Sequence, residues 1–233
     1  MIETEALKRK AGERAVRFVE SGMRLGLGTG STVRHVLDVL AERLSAGELR
    51  DIVGVPTSRA TESRARELGI PIVTLNDLPR LDVTIDGADE VGPGLDLIKG
   101  HGGALLWEKL VACATDRLII VADDSKRVSR IGSRVALPVE VIPFGWATHT
   151  PFFAELGCEA TLRRREGVPV VTDGGHYLVD CAFPDGIEDP AGVATVLKAR
   201  AGIVETGLFI GLTYAAVIAA ADGVHVLERG DTG

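Results

Sequence analysis

Apolar residues recur along this chain in two different rhythms, and the change between them divides it. Over 4–19 the apolar positions fall at helical spacing and predict an opening amphipathic helix. Short unbroken apolar runs then alternate with helical stretches: strands are predicted over 24–27, 52–55, 72–74, 83–85 and 118–121, with helices over 32–44 and 59–68 between the first three. A repeated strand, loop, helix order implies parallel strands joined by crossovers. Continuous apolar runs suit strands that helices cover on both faces, so the expected fold is α/β with a doubly wound, Rossmann-like parallel sheet.

The rhythm changes at Leu137. A strand over 139–142, flanked by Pro138 and Pro143, precedes a helix, then strands over 170–172 and 177–180, a helix over 191–199 and a strand over 204–209. That order resembles a ferredoxin-like α+β unit. From about Thr213 the chain would return to the first domain and close it. The expected organisation is therefore a Rossmann-like domain from 1–134 and 211–233, with a smaller ferredoxin-like domain over 135–210.

Composition removes several classes of function. With 233 residues, 45% of them hydrophobic, the chain can bury one large core or two small ones. The 26 basic and 33 acidic residues leave a formal charge of −7, and no window gathers enough Lys and Arg to follow a phosphodiester backbone, so nucleic acid is not an expected partner. Arg163, Arg164 and Arg165, beside Glu166, read as a solvated face and receive no function. Cys113, Cys158 and Cys181 lie far apart without a Cys-x-x-Cys pair and read as reduced thiols. Residues 1–10 carry both signs of charge and no apolar run, so a secretory leader is not expected. No stretch reaches the ~18–20 consecutive apolar residues of a membrane span; the expected compartment is the cytoplasm. His35, His101, His149, His176 and His225 form no His-x-His or His-Glu-x-x-His pair, and no metal is expected.

Three motifs carry candidate chemistry. The first, Gly26-Leu27-Gly28-Thr29-Gly30-Ser31-Thr32, leaves the first strand and opens a helix. Glycines admit close approach of a ligand to the main chain, the helix start offers N–H groups, and three hydroxyls add donors, so the loop suits a phosphate. A plain glycine turn with a hydroxyl cap is the alternative. Ser31 stands where a dinucleotide fingerprint needs its third glycine, and no Lys follows as in a P-loop. The second motif, Asp86-Gly87-Ala88-Asp89-Glu90, follows an apolar strand, where carboxyl ends of a parallel sheet line a ligand crevice. It also reads as a solvated turn.

The third motif runs Lys99-Gly100-His101-Gly102-Gly103-Ala104-Leu105-Leu106-Trp107-Glu108-Lys109-Leu110, a glycine turn feeding a helix. Glu108 has Ala104, Leu105, Val111 and Ala112 as helical neighbours, an apolar setting suited to a general base. Lys109 has equally apolar neighbours, so one of the two reaches past the helix to solvent. Lys99 would lie beside the Asp86 strand end if those strands are neighbours, where an ammonium would hold a developing oxyanion. Lys126, in Ala122-Asp123-Asp124-Ser125-Lys126, is a further strand-end polar group.

Taken together these motifs, with Leu-Pro-Val-Glu-Val-Ile-Pro at 137–143, Val-Thr-Asp-Gly-Gly at 171–175 and Glu-Thr-Gly-Leu-Phe at 205–209, resemble ribose-5-phosphate isomerase type A over nearly the whole chain. The resemblance implies interconversion of ribose 5-phosphate and ribulose 5-phosphate in the non-oxidative pentose phosphate pathway, with no cofactor, by a homodimer or homotetramer. It implies that Thr29, Gly30, Ser31 and Thr32 contact the substrate and that Lys126 and Lys8 add positive charge. Asp86, Gly87, Ala88 and Asp89 would meet the reacting end of the sugar, Lys99 would stabilise the ene-diolate, and Gly100, His101 and Gly102 would approach the substrate. Glu108 would take the C2 proton and return it to C1.

One departure stands in the glycine loop: His101 replaces the family's usual third consecutive glycine, and an outward-pointing imidazole is expected. A second class of function, a sugar-phosphate-sensing effector-binding domain, lacks a helix-turn-helix ahead of the first strand. A third, an acyl-CoA transferase relative with Glu108 as nucleophile, is opposed by the Asp-Gly-Ala-Asp-Glu motif and Lys126.

Overall fold

Helix α1 (Ile2–Ala15) is followed by strand β1 (Arg24–Leu27), helix α2 (Ser31–Ser45), strand β2 (Val53–Pro56) and helix α3 (Arg59–Glu67). The computed structural model describes residues 2–229, with side chains from residue 5 onward. Strands β3 (Leu81–Gly87), β6 (Thr115–Asp123), β14 (Thr213–Ala220) and β15 (Gly223–Glu228) complete a six-stranded sheet of order β15-β14-β6-β3-β1-β2. All its pairings are parallel except β14 with β15. After Thr213 the chain returns to this sheet, with β14 pairing with β6 and β15.

The local sequence accounts for these elements. On α2 the residues Val33, Val36, Leu37 and Leu40 recur at helical spacing, and all are buried in one core with Leu25, Leu27, Val83 and Ile85 of the sheet. Each fully buried Leu or Ile adds about 1.5–3 kcal/mol to stability. Helix α3 starts where Ser58 accepts the N–H of Thr61 on its Oγ at 3.1 Å, an N-cap. The run over 72–74, expected as a strand, makes one bridge, Ile72 to Gly54, because Thr74 at once turns back on Asp77.

A second unit has its own sheet of four antiparallel strands, β12-β7-β11-β8: β7 (Leu137–Val141), β8 (Glu159–Leu162), β11 (Tyr177–Ala182) and β12 (Ile203–Thr206). Helix α5 (Thr150–Glu155) lies between β7 and β8 in the chain, and α6 (Pro190–Lys198) between β11 and β12. This is the ferredoxin-like order. Its core gathers Leu137, Val139, Val141, Phe153, Val179 and Leu197. The expected strand over 170–172 is a single bridge, Val171 to Tyr177, after a small hairpin of β9 (Arg164–Arg165) and β10 (Val168–Pro169).

The predicted strand over 204–209 divides at Gly207. Beyond it β13 (Leu208–Phe209) pairs with β5 (Leu97–Ile98), which pairs with β4 (Glu90–Val91). By packing, the first unit takes the residues through Ala88, Trp107–Lys126 and those from Leu212 on; the second takes Asp89–Leu106 and Arg127–Gly211. Residues 89–106 and 127–134, grouped with the Rossmann-like domain from sequence, thus pack with the second unit. Two-residue strands leave no periodicity to read. Among the described residues no helix is long and apolar enough to cross a membrane.

Candidate active site

In the first unit β1 and β3 run side by side, so their carboxyl ends deliver the first two motifs to one place. Gly28 passes so close to the end of β3 that a Cβ there would collide with the carboxyl group and Cα of Asp86. That proximity is what glycine provides here. Thr29 donates its N–H to Asp86 Oδ1 at 3.0 Å, and Gly87 donates its own to the same oxygen at 2.7 Å. Asp86 is 1% exposed. The two N–H bonds fix the carboxyl group at the strand end.

Thr29 turns its hydroxyl away from bulk water. Its Oγ1 lies 2.8 Å from the hydroxyls of Thr57 and Ser58 and 3.1 Å from that of Thr61. Sequence reasoning missed these three residues; the available signal was their place just after β2, the neighbour of β1. Gly30 precedes α2 without a side-chain cap, and Ser31 and Thr32 form its first turn, whose N–H groups suit an anion. Lys126 ends a 3₁₀ turn after β6 and is half-buried. Lys8 lies with its Nζ 2.8 Å from Glu5, which also pairs with His35 Nε2 at 2.9 Å. Those bonds, Lys8 first, hold the Glu5 carboxyl below the usual carboxylate range.

Helix α4 (Leu105–Cys113) carries Glu108 in its first turn. Glu108 is 5% exposed whereas Lys109 is half-buried, which resolves the pair in favour of a buried carboxylate.

The remaining candidates, apart from Ala88, belong to the second unit. Lys99 is 2% exposed at the end of β5, donates its N–H to the Gly207 carbonyl at 2.9 Å, and sets its Nζ 5.5 Å from the Phe209 ring centroid. Gly100 has φ of +107°, and a Cβ there would lie 2.7 Å from Leu105 Cδ2, so only glycine fits. His101 donates its N–H to Asp89 Oδ2 at 2.9 Å. Its Nε2 lies 3.1 Å from the Ala136 carbonyl, so that nitrogen carries the proton and donates. The imidazole is thus exposed and tied to backbone. Gly102 is exposed and Ala88 half-buried.

Glu90, the last carboxylate of the second motif, is 1% exposed and accepts the N–H groups of Gly132, Arg134 and Val135 at 2.5, 2.7 and 2.9 Å. It shapes a turn. Arg163, which reads from sequence as solvated surface, donates to the carbonyls of Gly100 and His101 and joins Thr57, Ser58 and Thr61 among the residues that the sequence did not reveal. Among the described residues no group of three or more His, Cys, Asp or Glu side chains is placed to hold a metal ion.

A Rossmann-like sheet with an anion-suited loop in place of a dinucleotide fingerprint, and with buried carboxylates at its strand end and on the helix α4, has the parts for acid–base chemistry on a phosphorylated substrate. Comparison with known proteins narrows the class. Residues 53–223 match the family ribose 5-phosphate isomerase A (phosphoriboisomerase A). The ribose-5-phosphate isomerase A of Nitrobacter hamburgensis is 50% identical over 232 residues, covering 97% of this chain and 98% of that protein. A D-ribose-5-phosphate isomerase solved in complex with phospho-erythronic acid superposes with a TM-score of 0.94 at 38% identity, over 97% of this chain and 99% of that one. The ribose 5-phosphate isomerase of Plasmodium falciparum does so with 0.94 at 40% identity and the same coverage. This chain belongs to the ribose 5-phosphate isomerase A family.

Proposed function

We propose that this chain interconverts D-ribose 5-phosphate and D-ribulose 5-phosphate by proton transfer through an ene-diolate, with Glu108 as the base. The observation that carries the mechanism is that Glu108 is a buried carboxylate on a short helix in the unit where β3 presents Asp86. The aldose closes as a furanose, so it must open first. Opening removes the anomeric hydroxyl proton, forms the C1 carbonyl, breaks the C1–O4 bond and places a proton on O4; Asp86 takes the first proton and supplies the second.

Glu108 then removes the C2 proton beside the carbonyl and returns it to C1, while the O2 hydroxyl proton passes to O1 as the carbonyl moves to C2. Negative charge develops on oxygen, for which the Lys99 ammonium is the counter-charge. Ser31, Thr32 and the N–H groups from Gly30 into the first turn of α2, with Lys126, bind the phosphate; Asp89, Gly87, Ala88, Gly100, His101 and Gly102 border the sugar. The relative that holds phospho-erythronic acid supports this reading, since that ligand carries a phosphate and a delocalised carboxylate, much as an ene-diolate phosphate carries two anionic groups. The reaction calls for no hydride acceptor. We place the protein in the cytoplasm, in the pentose phosphate pathway, as a homodimer or homotetramer.

Proton NMR of ribose 5-phosphate in heavy water with excess EDTA tests the assignment. Ketose formation with deuterium entering the transferred position is the expected result. Neither conversion nor exchange, with sugar-phosphate shifts on titration, would mark a binding domain instead.

A further inference from the structure

The hydroxyls around Thr29 form a chain with one direction. Each hydroxyl has a single proton to donate. Thr29 donates to Ser58 at 2.8 Å, Ser58 donates to Thr61 at 3.1 Å, and Thr61 donates to the Gly28 carbonyl at 2.8 Å. With the Thr29 proton committed, the 2.8 Å contact between Thr57 and Thr29 must be donated by Thr57. Thr57, Ser58 and Thr61 are 0%, 5% and 6% exposed, so water does not compete for these protons.

The end of the chain decides its use. The Gly28 carbonyl and the Thr29 N–H belong to one planar peptide unit. Thr61 holds that plane by its carbonyl, and the N–H on its other edge is the one given to Asp86 Oδ1 at 3.0 Å. A peptide whose carbonyl accepts a strong bond is a stronger N–H donor, because linked hydrogen bonds polarise one another. Both polar groups of Thr29 that face inward, N–H and O–H, are consumed in this arrangement.

We propose that Thr57, Ser58 and Thr61 are positioning residues for Asp86, acting through the Gly28–Thr29 peptide plane, and that Thr29 serves as the link in this chain and gives the substrate no hydroxyl bond. The role concerns ring opening, and it rests on the isomerase reading above.

The test separates ring opening from proton transfer. Ribulose 5-phosphate cannot close to a furanose, because its C5 oxygen carries the phosphate, so exchange of its C1 proton with heavy water needs Glu108 without ring opening. Thr61→Val should lower turnover of ribose 5-phosphate at least ~10-fold while leaving KM and the C1 exchange within about 2-fold of the unchanged protein. Thr61→Ser, which keeps the hydroxyl, should restore turnover, and Asp86→Asn should show the same split as Thr61→Val. Equal loss of turnover and exchange in Thr61→Val, or turnover unaltered by it, overturns the proposal and leaves the isomerase assignment standing. Absence of both activities in the unchanged protein overturns the assignment and the proposal with it.

Discussion

Arg163 and Asp180 meet side by side, Nε to Oδ2 at 2.8 Å and Nη2 to Oδ1, and the remaining nitrogen of the guanidinium, Nη1, reaches the carbonyls of Gly100 and His101, each at 3.0 Å. The fork geometry explains the choice of arginine: the carboxylate aims one edge of the plane, and the other edge clamps the glycine loop. With both carbonyls turned toward Arg163, the His101 N–H points to Asp89.

Arg163→Ala is therefore expected to cost about 1.5–3 kcal/mol of stability, the range for charged hydrogen bonds, and to lower kcat about 10-fold through the loosened loop. Arg163→Lys should not recover kcat, since a compact ammonium lacks the planar fork that reaches Asp180 from one edge and the two carbonyls from the other. Low concentrations of guanidinium should partly restore turnover of the Ala variant. Steady-state kinetics with thermal melts check this, and wild-type kcat in Arg163→Ala would remove the clamp from the mechanism.

Glu108→Gln keeps the size of the side chain and removes its basicity. The expected outcome is a fall in kcat of at least ~10²-fold with KM within about 2-fold, because the base acts in the transition state and contributes little to binding. Deuterium uptake from heavy water should fall in parallel. Near-normal turnover would exclude Glu108 as the base.

At His101 the backbone and side chain carry different duties. His101→Gly retains the N–H given to Asp89 and loses the Nε2 bond to the Ala136 carbonyl. Stability should fall by about 0.5–1.5 kcal/mol, from the lost hydrogen bond together with added unfolded-state entropy. Turnover should stay within about 3-fold, and melting curves beside initial rates measure both. A large loss of turnover with little loss of stability would assign the imidazole to the substrate.

His149 gives the second unit a pH dependence whose sign follows from its surroundings. It is 3% exposed and accepts a bond from Arg200 Nε on Nδ1 at 2.9 Å. Burial, and after it the Arg200 charge, holds the imidazole below its usual pKa of 6.5, so the folded protein favours the neutral ring. As pH falls through 6.5 the unfolded chain takes up a proton before the folded chain does, and stability is lost between that pH and the lower folded pKa. The melting temperature should fall between pH 7.5 and 5.5, and His149→Gln should reduce that fall. An equal fall in both proteins would assign the acid sensitivity to other groups.

Much of the site was legible because it is local. Gly28 directly follows β1 and Asp86 is the penultimate residue of β3, and in a parallel sheet strand ends with glycine and carboxylate mark a ligand crevice whatever the rest of the chain does. Glu108 could be read as buried from its helical neighbours alone, though Lys109 had the same neighbours, and only packing decided between them. The ferredoxin-like order followed from the succession of strands and helices. The strands β4, β5 and β13 did not, since two residues cannot show a period.

The sequence by itself determined the succession of longer strands and helices that defines each unit, because side-chain spacing encodes which face of an element is buried, and which loops lack the Cβ atoms that would block a ligand or a neighbouring strand. Tertiary structure alone decided what the polar side chains do. Arg163 meets Gly100 across 63 residues of chain, and Thr61 meets Gly28 across 33. A hydrogen bond depends on direction and on a fraction of an ångström. Such separations leave no pattern in the sequence, and only the folded positions of β1, β2 and the second unit's own sheet bring those donors and acceptors into line.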